Sequence, residues 1–192
     1  MTNNPSLPTL VCIRGNSGSG KSTLSLMLRD AYGGRGVAVV EQDYIRRKLV
    51  HERDQPGAAN IDLIGTVVRH CLRAGIHTVL EGILDAGRYG EMLDDLHRDY
   101  TGPQHWYYLD IPYEETLRRH ATKPQAHEYG AAEMADWYRH RDLLPGGREH
   151  VIDADSTAEQ SLTRILTDTR LLTLRPTPPH PTRTDLQPEP RP

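Results

Sequence analysis

A glycine-rich segment, Gly15-Asn16-Ser17-Gly18-Ser19-Gly20-Lys21-Ser22, has the spacing G-x-x-x-x-G-K-[ST] of a phosphate-binding loop. The apolar run Leu10–Ile13 before it predicts a buried parallel strand, and residues 23–28 after it predict the opening turns of a helix. A strand before the loop and a helix after it are the context that this motif requires. The segment therefore predicts a site for nucleotide phosphates.

Each part of this segment has an expected role. The glycines let backbone N–H groups point at phosphate oxygens, and the following helix N-terminus adds partial positive charge. Lys21 is expected to reach the β- and γ-phosphates and to act in catalysis, and the Ser22 hydroxyl is expected to bind Mg²⁺. The predicted nucleotide-binding residues in this stretch are Gly15, Asn16, Ser17, Gly18, Ser19, Gly20, Lys21, Ser22 and Thr23.

Composition limits the class of protein. The chain has 192 residues, which favours one domain with a tail, and its net charge of −3 argues against a surface that coats nucleic acid. The two cysteines have neither metal-ligand nor disulfide spacing, as in proteins of reducing compartments. No apolar run is as long as a membrane span, and the N-terminus lacks the features of a signal peptide. These observations predict a cytoplasmic protein without a membrane partner.

Strands and helices are predicted to alternate along the chain. The predicted strands are residues 7–13, 37–40, 78–80, 106–110 and 150–153. The predicted helices are residues 21–32, 44–50, 61–74, 86–100, 112–120, 131–144 and 156–172. Ser156 is expected to cap the last helix, with Glu159 completing a capping box. This alternation predicts a doubly wound parallel sheet with its ligand site at the carboxyl ends of the strands.

Three acidic residues follow predicted strands at that edge: Asp43, Glu81 and Asp110. Asp43 is a candidate proton acceptor for a hydroxyl group, and a helix N-cap is the alternative. Glu81 is a candidate ligand of Mg²⁺ through water or a contact to the acceptor, and pairing with an arginine is the alternative. Asp110 is expected to hold a neighbouring loop or to cap the next helix.

Several segments together resemble the P-loop small-molecule kinases, the group of chloramphenicol phosphotransferase, gluconate kinase and zeta toxins within the nucleoside monophosphate kinase-like superfamily. The segments that carry the resemblance are Gly15–Ser22, Asp43–Arg47, Val79–Gly82, and Tyr108–Pro112 followed by Arg118 and Arg119. The resemblance covers roughly residues 7–170. Residues 81–85 lack the Asp-Gly-x-Pro-Arg of nucleoside monophosphate kinases, which argues against a nucleoside monophosphate as acceptor.

The resemblance implies a three-layer α/β/α P-loop NTPase fold with a five-stranded parallel sheet of order 2-3-1-4-5. It also implies a kinase domain at residues 1–172 with a helical lid at about residues 122–147. Residues 173–192 are rich in proline, and we expect them to form a disordered tail. The protein would be a monomer or a homodimer.

The implied activity is ATP- and Mg²⁺-dependent transfer of the γ-phosphoryl group to a hydroxyl of a small molecule, such as a natural product, an antibiotic, a nucleoside or a sugar. By resemblance, Asp43 would orient or deprotonate that hydroxyl. Of Arg46 and Arg47, one is expected to face the acceptor and the other solvent, because neighbouring helical residues point in different directions. The resemblance slightly favours Arg47 as the acceptor contact.

Three further arginines are candidates for the phosphate site. By resemblance, Arg119 would lie on the nucleotide side. Arg139 and Arg141, on a predicted second lid helix, would close over the phosphates and act in catalysis, and a solvated helix face is the alternative for each.

Two other functions remain as hypotheses. The same core would serve a polynucleotide 5′-hydroxyl kinase, although the net charge of −3 counts against a nucleic-acid partner. A nucleotide-binding regulator without transfer chemistry is the other, and it leaves the lid-like region unexplained.

Overall fold

A computed structural model describes residues 7–122 and 129–173 of the chain. Its centre is a five-stranded parallel sheet of order β2-β3-β1-β4-β5, which confirms the predicted order. The strands are β1 (Leu10–Gly15), β2 (Val37–Glu41), β3 (His77–Gly82), β4 (Gln104–Asp110) and β5 (Glu149–Asp153).

Helices connect the strands as predicted for a doubly wound sheet. They are α1 (Lys21–Tyr32), α2 (Ala59–Arg73), α3 (Ala86–Asp99), α4 (Tyr113–His120), α5 (Ala131–Trp137) and α6 (Ala158–Thr169). A π-helical turn, Tyr44–Leu49, follows β2, and a 3₁₀ turn, Leu171–Thr173, follows α6. None of the helices in the described ranges is long and apolar enough to cross a membrane.

The hydrophobic core has two halves, one on each face of the sheet. Alternate residues of β1 point to opposite faces, so Leu10 and Cys12 belong to one cluster and Val11 and Ile13 to the other. The first cluster includes side chains of α2 and α3, and the second includes side chains of α1 and α6. Every residue of β1 is buried, as expected for a central strand covered on both faces. The fold is thus a three-layer α/β/α sandwich with the phosphate-loop strand at its centre.

The predicted helix over residues 131–144 is wrong in its second half. Helix α5 ends at Trp137, Tyr138 has an extended backbone, and Arg141 has a positive φ of 47°. The side chain of Asn16 hydrogen-bonds both the N–H and the C=O of Arg139, so a tertiary contact takes the place of helical hydrogen bonds there. Arg139 and Arg141 therefore lie on a non-helical segment rather than on a lid helix.

The predicted capping of the last helix is wrong by one residue. Thr157 is the N-cap of α6 and forms the capping box with Gln160. Ser156 instead belongs to the turn that follows β5, where its N–H donates to the carbonyl oxygen of Asp153. Residues 156 and 159 and residues 157 and 160 fit the same capping pattern, and the turn selects the second pair.

Two predictions fall wholly or partly on residues that are not described. Of the predicted tail, residues 174–192 lie outside the described ranges. The same holds for residues 123–128 of the predicted lid. The disordered tail and the lid therefore stay predictions.

His77, at the start of β3, makes the stability of the fold sensitive to acid. Its buried ring accepts a hydrogen bond at Nδ1 from the Thr9 N–H at 2.8 Å, and burial lowers the pKa of the ring. Above about pH 6.5 the His77 ring is neutral in both the folded and the unfolded chain. Below that pH the ring binds a proton more readily in the unfolded chain than in the folded chain. Stability is therefore expected to fall as the pH drops below about 6.5.

Urea unfolding at pH 7.5 and 5.5 tests this prediction. The parent chain should lose more stability between the two pH values than His77→Asn does, by at most about 1.4 kcal/mol per pH unit. Equal losses in the two proteins would contradict the assignment to His77.

Candidate active site

The phosphate loop lies between the end of β1 and the start of α1, and two of its glycines have no room for a side chain. A Cβ at Gly15, where φ is +144°, would lie 2.7 Å from the carbonyl oxygen of Leu109. A Cβ at Gly18, where φ is +78°, would lie 2.5 Å from that of Thr116. The loop thus packs closely against the end of β4 and against α4, which leaves its other side for a ligand.

The positive end of α1 opens into this loop. The helix begins at Lys21, and its N-cap is Gly20, which has no side chain to bind the first N–H groups of the helix. The buried Lys21 ammonium donates to the carbonyl oxygen of Asn16 at 2.8 Å and lies 3.4 Å from the Ser19 hydroxyl. Backbone N–H groups, a helix N-terminus and a lysine together suit an anion such as a phosphate chain.

Ser22 and Glu81 form an oxygen pair beside the loop. The Ser22 hydroxyl donates to Glu81 Oε1 at 2.9 Å. Glu81 is buried and lies near the carboxyl end of β3. Burial raises the pKa of Glu81, and the positive charge of Lys21 and the Ser22 hydroxyl oppose that rise.

These oxygens suit Mg²⁺. In the described ranges, no group of three or more His, Cys, Asp or Glu side chains is arranged to hold a metal alone. Mg²⁺ commonly binds one or two protein oxygens and completes its shell with water and substrate phosphates, so the hydroxyl and carboxylate fit that ion.

A cavity of about 290 Å³ lies beside the loop, between α4 and the start of α6. It is lined by Gly18, Ser19, Gly20, Thr23, Leu24, Leu109, Ile111, Arg119, Thr122, Ile152, Asp153, Ser156, Thr157, Ala158 and Ser161. Arg119 donates through Nη1 to the carbonyl oxygen of Ser19 at 3.1 Å and is held through Nε by Glu115 at 2.6 Å. The apolar and polar walls of this cavity suit the base and sugar of a nucleotide.

On the opposite side of the loop from this cavity, the side chains of two arginines lie close to Asp43. Arg46 Nη2 lies 2.9 Å and Arg47 Nε 3.5 Å from the same oxygen, Asp43 Oδ1. The expectation that these neighbours would point in different directions is therefore wrong. Arg46 and Arg47 lie three and four positions after Asp43, and side chains at both of these spacings lie beside the first residue on a helical turn, so both guanidinium groups reach one carboxylate.

Asp43 itself is accessible. Its side chain is 60% exposed, and it makes no capping hydrogen bond to the turn that it precedes. The helix-cap alternative is therefore not seen, and the carboxylate is oriented by arginines at the surface of the cleft.

Tyr129 connects the arginine pair to the phosphate loop. Its hydroxyl lies 3.2 Å from the Ser17 hydroxyl, and the Arg47 guanidinium lies 5.8 Å from the centre of its ring. The ring stacks on His120 at 4.4 Å and contacts Trp137 at 5.1 Å between centroids. An aromatic wall therefore lies next to both the loop and the arginine pair.

The arginines of the non-helical segment are both close to acidic residues of the sheet edge. Arg141 Nε lies 3.6 Å from Asp110 Oδ2, and Arg139 Nε lies 3.9 Å from Asp85 Oδ2. Both side chains are about half exposed, at 52% and 51%. Asp110 thus holds the neighbouring segment, one of the two roles expected for it.

Sequence reasoning missed Arg14, the most deeply buried charge near the site. Its side chain is fully buried and donates to Glu149 at 2.8 Å, to Asp142 at 2.9 Å and to the carbonyl oxygen of Leu84 at 2.9 Å. Asp142 also accepts from the N–H of Ala86. The sequence signal for such a network was an arginine next to an apolar strand. A charge buried there requires acidic partners elsewhere in the chain.

Replacing Arg14 by methionine should strongly destabilise the protein. The change keeps an apolar stem but leaves the carboxylates of Asp142 and Glu149 without their shared cation, at an expected cost of about 3–5 kcal/mol. Urea unfolding measures this loss. The control is Arg29→Met, which removes an exposed arginine beside Asp30 and should have little effect. Similar stability of the two variants would show that the buried network contributes little.

Comparisons with known proteins agree with this fold. A family model described as an AAA domain matches residues 10–144. No curated protein sequence matches the chain. The fold is similar to the folds of several solved structures at low sequence identity, two kinases among them.

Three of these structures illustrate the similarity. The Mycobacterium tuberculosis APS kinase, solved with AMPPNP and APS, has a TM-score of 0.64 and 18% identity, over 88% of this chain and 99% of that one. A Sinorhizobium meliloti gluconokinase has a TM-score of 0.56 and 15% identity, over 87% and 94%. The Deinococcus radiodurans tunicamycin resistance protein has a TM-score of 0.59 and 18% identity, over 90% and 99%.

Proposed function

Because the chain belongs to the P-loop kinase family described as an AAA domain, we propose that it is an ATP- and Mg²⁺-dependent kinase that phosphorylates a hydroxyl of a small molecule. The observation that carries the proposal is Asp43, an accessible carboxylate oriented by two arginines. A site that only bound a nucleotide would not require an oriented carboxylate on the side of the loop opposite the cavity. Phosphoryl transfer needs one to align the attacking hydroxyl.

The nucleotide would bind with its phosphates on the loop and its base in the cavity beside Arg119. Lys21 would exchange its hydrogen bond to the Asn16 carbonyl for phosphate oxygens. Mg²⁺ would be held by the Ser22 hydroxyl, with Glu81 binding one of its waters, and would neutralise charge on the β- and γ-phosphates. Arg139 and Arg141, both half exposed, would supply further positive charge to the transferring group.

The acceptor would enter between the π-helical turn and Tyr129. Its hydroxyl would donate a hydrogen bond to Asp43, and its oxygen would then form the new bond to the γ-phosphorus as the bond to the ADP leaving oxygen breaks. Asp43 would take the hydroxyl proton. Arg46 and Arg47 would keep the carboxylate in place and would contact polar groups of the acceptor.

The lining of this entrance supports a small organic acceptor. Tyr129 and Trp137 offer ring surface, and the arginines offer hydrogen-bond donors, a mixture that suits a natural product, an antibiotic, a nucleoside or a sugar. Two of the structurally similar proteins are named as kinases of small molecules, APS and gluconate.

An assay of ADP release with Mg·ATP tests the proposal. The acceptor panel contains antibiotics, nucleosides, sugars and short oligonucleotides, each compared with ATP alone. Release that depends on one small acceptor, and a product carrying one added phosphate, is the expected result. Turnover only with oligonucleotides would favour a polynucleotide kinase. ATP binding without any acceptor-dependent release would favour a regulator.

A further inference from the structure

Asn16 uses its side chain to bind the backbone of a distant segment. The carboxamide is nearly buried, at 4% exposure, and donates through Nδ2 to the Arg139 carbonyl oxygen at 2.8 Å. Its Oδ1 accepts from the Arg139 N–H at 2.9 Å. Asn16 therefore hydrogen-bonds both backbone polar groups of Arg139, the N–H and the C=O, although the two residues are 123 positions apart in the sequence.

The backbone of the same asparagine faces the phosphate site. Its carbonyl oxygen accepts from Lys21 Nζ at 2.8 Å and from the Ser19 N–H at 3.2 Å. One residue thus contacts both the lysine that would bind the phosphates and the segment that bears Arg139. Asparagine suits this position because its carboxamide presents an N–H donor and a carbonyl acceptor side by side, as a peptide group does.

The segment that bears Arg139 has a second anchor three residues later. The carboxylate of Asp142 binds Arg14 and the Ala86 N–H, and the Asp142 N–H donates to the Tyr108 hydroxyl. Asn16 and Asp142 thus fix a non-helical stretch at two points. The Arg139 and Arg141 side chains belong to this stretch and remain about half exposed.

We propose that Asn16 is a positioning residue that fixes the backbone of Arg139 on the phosphate loop. The Arg139 guanidinium, whose Nη1 donates to the carbonyl oxygens of Asp136 and Tyr138, is thereby kept beside the loop, from where it can turn to the transferring phosphoryl group. This inference rests on the proposed kinase function for its chemical consequence. Its structural part, the hold of Asn16 on residues 138–142, is independent of that function. A misplaced charge close to the reacting group costs about 10- to 100-fold in rate.

Hydrogen–deuterium exchange tests the structural part without turnover. Asn16→Ala should speed exchange of the Arg139 N–H and of its neighbours in residues 138–142. Asn16→Asp keeps the acceptor for that N–H but sets a carboxylate against the Arg139 carbonyl oxygen, so it should retain only part of the protection. The control is Asn60→Ala, which removes another buried carboxamide, bound to Tyr89, and should leave exchange at residues 138–142 unchanged. Unchanged exchange in Asn16→Ala would overturn the proposal.

A double-mutant cycle tests the chemical part. Asn16→Ala and Arg139→Ala should each lower kcat about 10- to 100-fold with a small change in KM for ATP, and the double variant should be no slower than Arg139→Ala alone. If the falls in kcat of the two single variants multiplied in the double variant, Asn16 would act independently of Arg139, and the proposal would be overturned. Absence of turnover in the parent chain would count against the kinase function, while the exchange result would still decide whether Asn16 holds the segment.

Discussion

Lys21→Ala is expected to abolish nearly all phosphoryl transfer, with a fall in kcat of at least about 10²- to 10³-fold. The ammonium of Lys21 is buried within the phosphate loop, where the low local dielectric strengthens its interaction with phosphate charge. Alanine leaves the loop glycines and the helix N-terminus in place, so the site keeps its shape but loses its fixed cation.

The measurement is acceptor-dependent ADP release, with nucleotide affinity determined separately by titration of a fluorescent ATP analogue. Lys48→Ala is the matched control, because it removes an exposed lysine from the surface. It should bind ATP like the parent chain. A Lys21→Ala variant with kcat within threefold of the parent would contradict the role assigned to the loop lysine.

Asp43→Asn should lower kcat about 10²- to 10⁴-fold while leaving ATP affinity unchanged. Asparagine has nearly the same shape and still accepts a hydrogen bond from Arg46, but it cannot take the proton of an acceptor hydroxyl. Because Asp43 would lie on the acceptor side of the loop in the proposed reaction, nucleotide binding should not depend on its charge.

Asp95→Asn provides a control of matched geometry. Asp95 binds Arg98 three positions later at 2.6 Å, as Asp43 binds Arg46, but it lies on the outer surface of α3. Its replacement should leave transfer unchanged. If Asp43→Asn retained the parent kcat with a raised KM for the acceptor, Asp43 would be a binding group rather than the proton acceptor.

The fold was predictable because its signals are local and repeated. The phosphate-loop spacing, the apolar strands and the helical segments each follow from short stretches of sequence, and the parallel sheet is a consequence of their alternation. The order of the strands came from the resemblance to kinases, and the structure has the same order. The acidic residues Asp43, Glu81 and Asp110 were found for a similar reason, since each lies at or just past the carboxyl end of a strand.

The errors lie where distant contacts override local preference. Residues 138–144 have a sequence compatible with a helix, but Asn16 and Arg14 bind this stretch in a non-helical form. Arg46 and Arg47 share one carboxylate because they lie three and four positions after Asp43, a spacing that brings both side chains beside it and that the comparison of the two arginines alone overlooks. Arg14 was missed because its partners, Asp142 and Glu149, are 128 and 135 positions away.

The long sequence separation between Arg14 and its acidic partners has a consequence for the order in which the chain folds. During synthesis the phosphate-loop strand emerges early, but the carboxylates that neutralise its arginine emerge only with the segment before β5 and with β5 itself. Closing loops of this length slows folding, and burial of Arg14 without its partners is costly. The central strand therefore reaches its native surroundings late, and a nascent chain that ends before Glu149 should be open to proteases along β1.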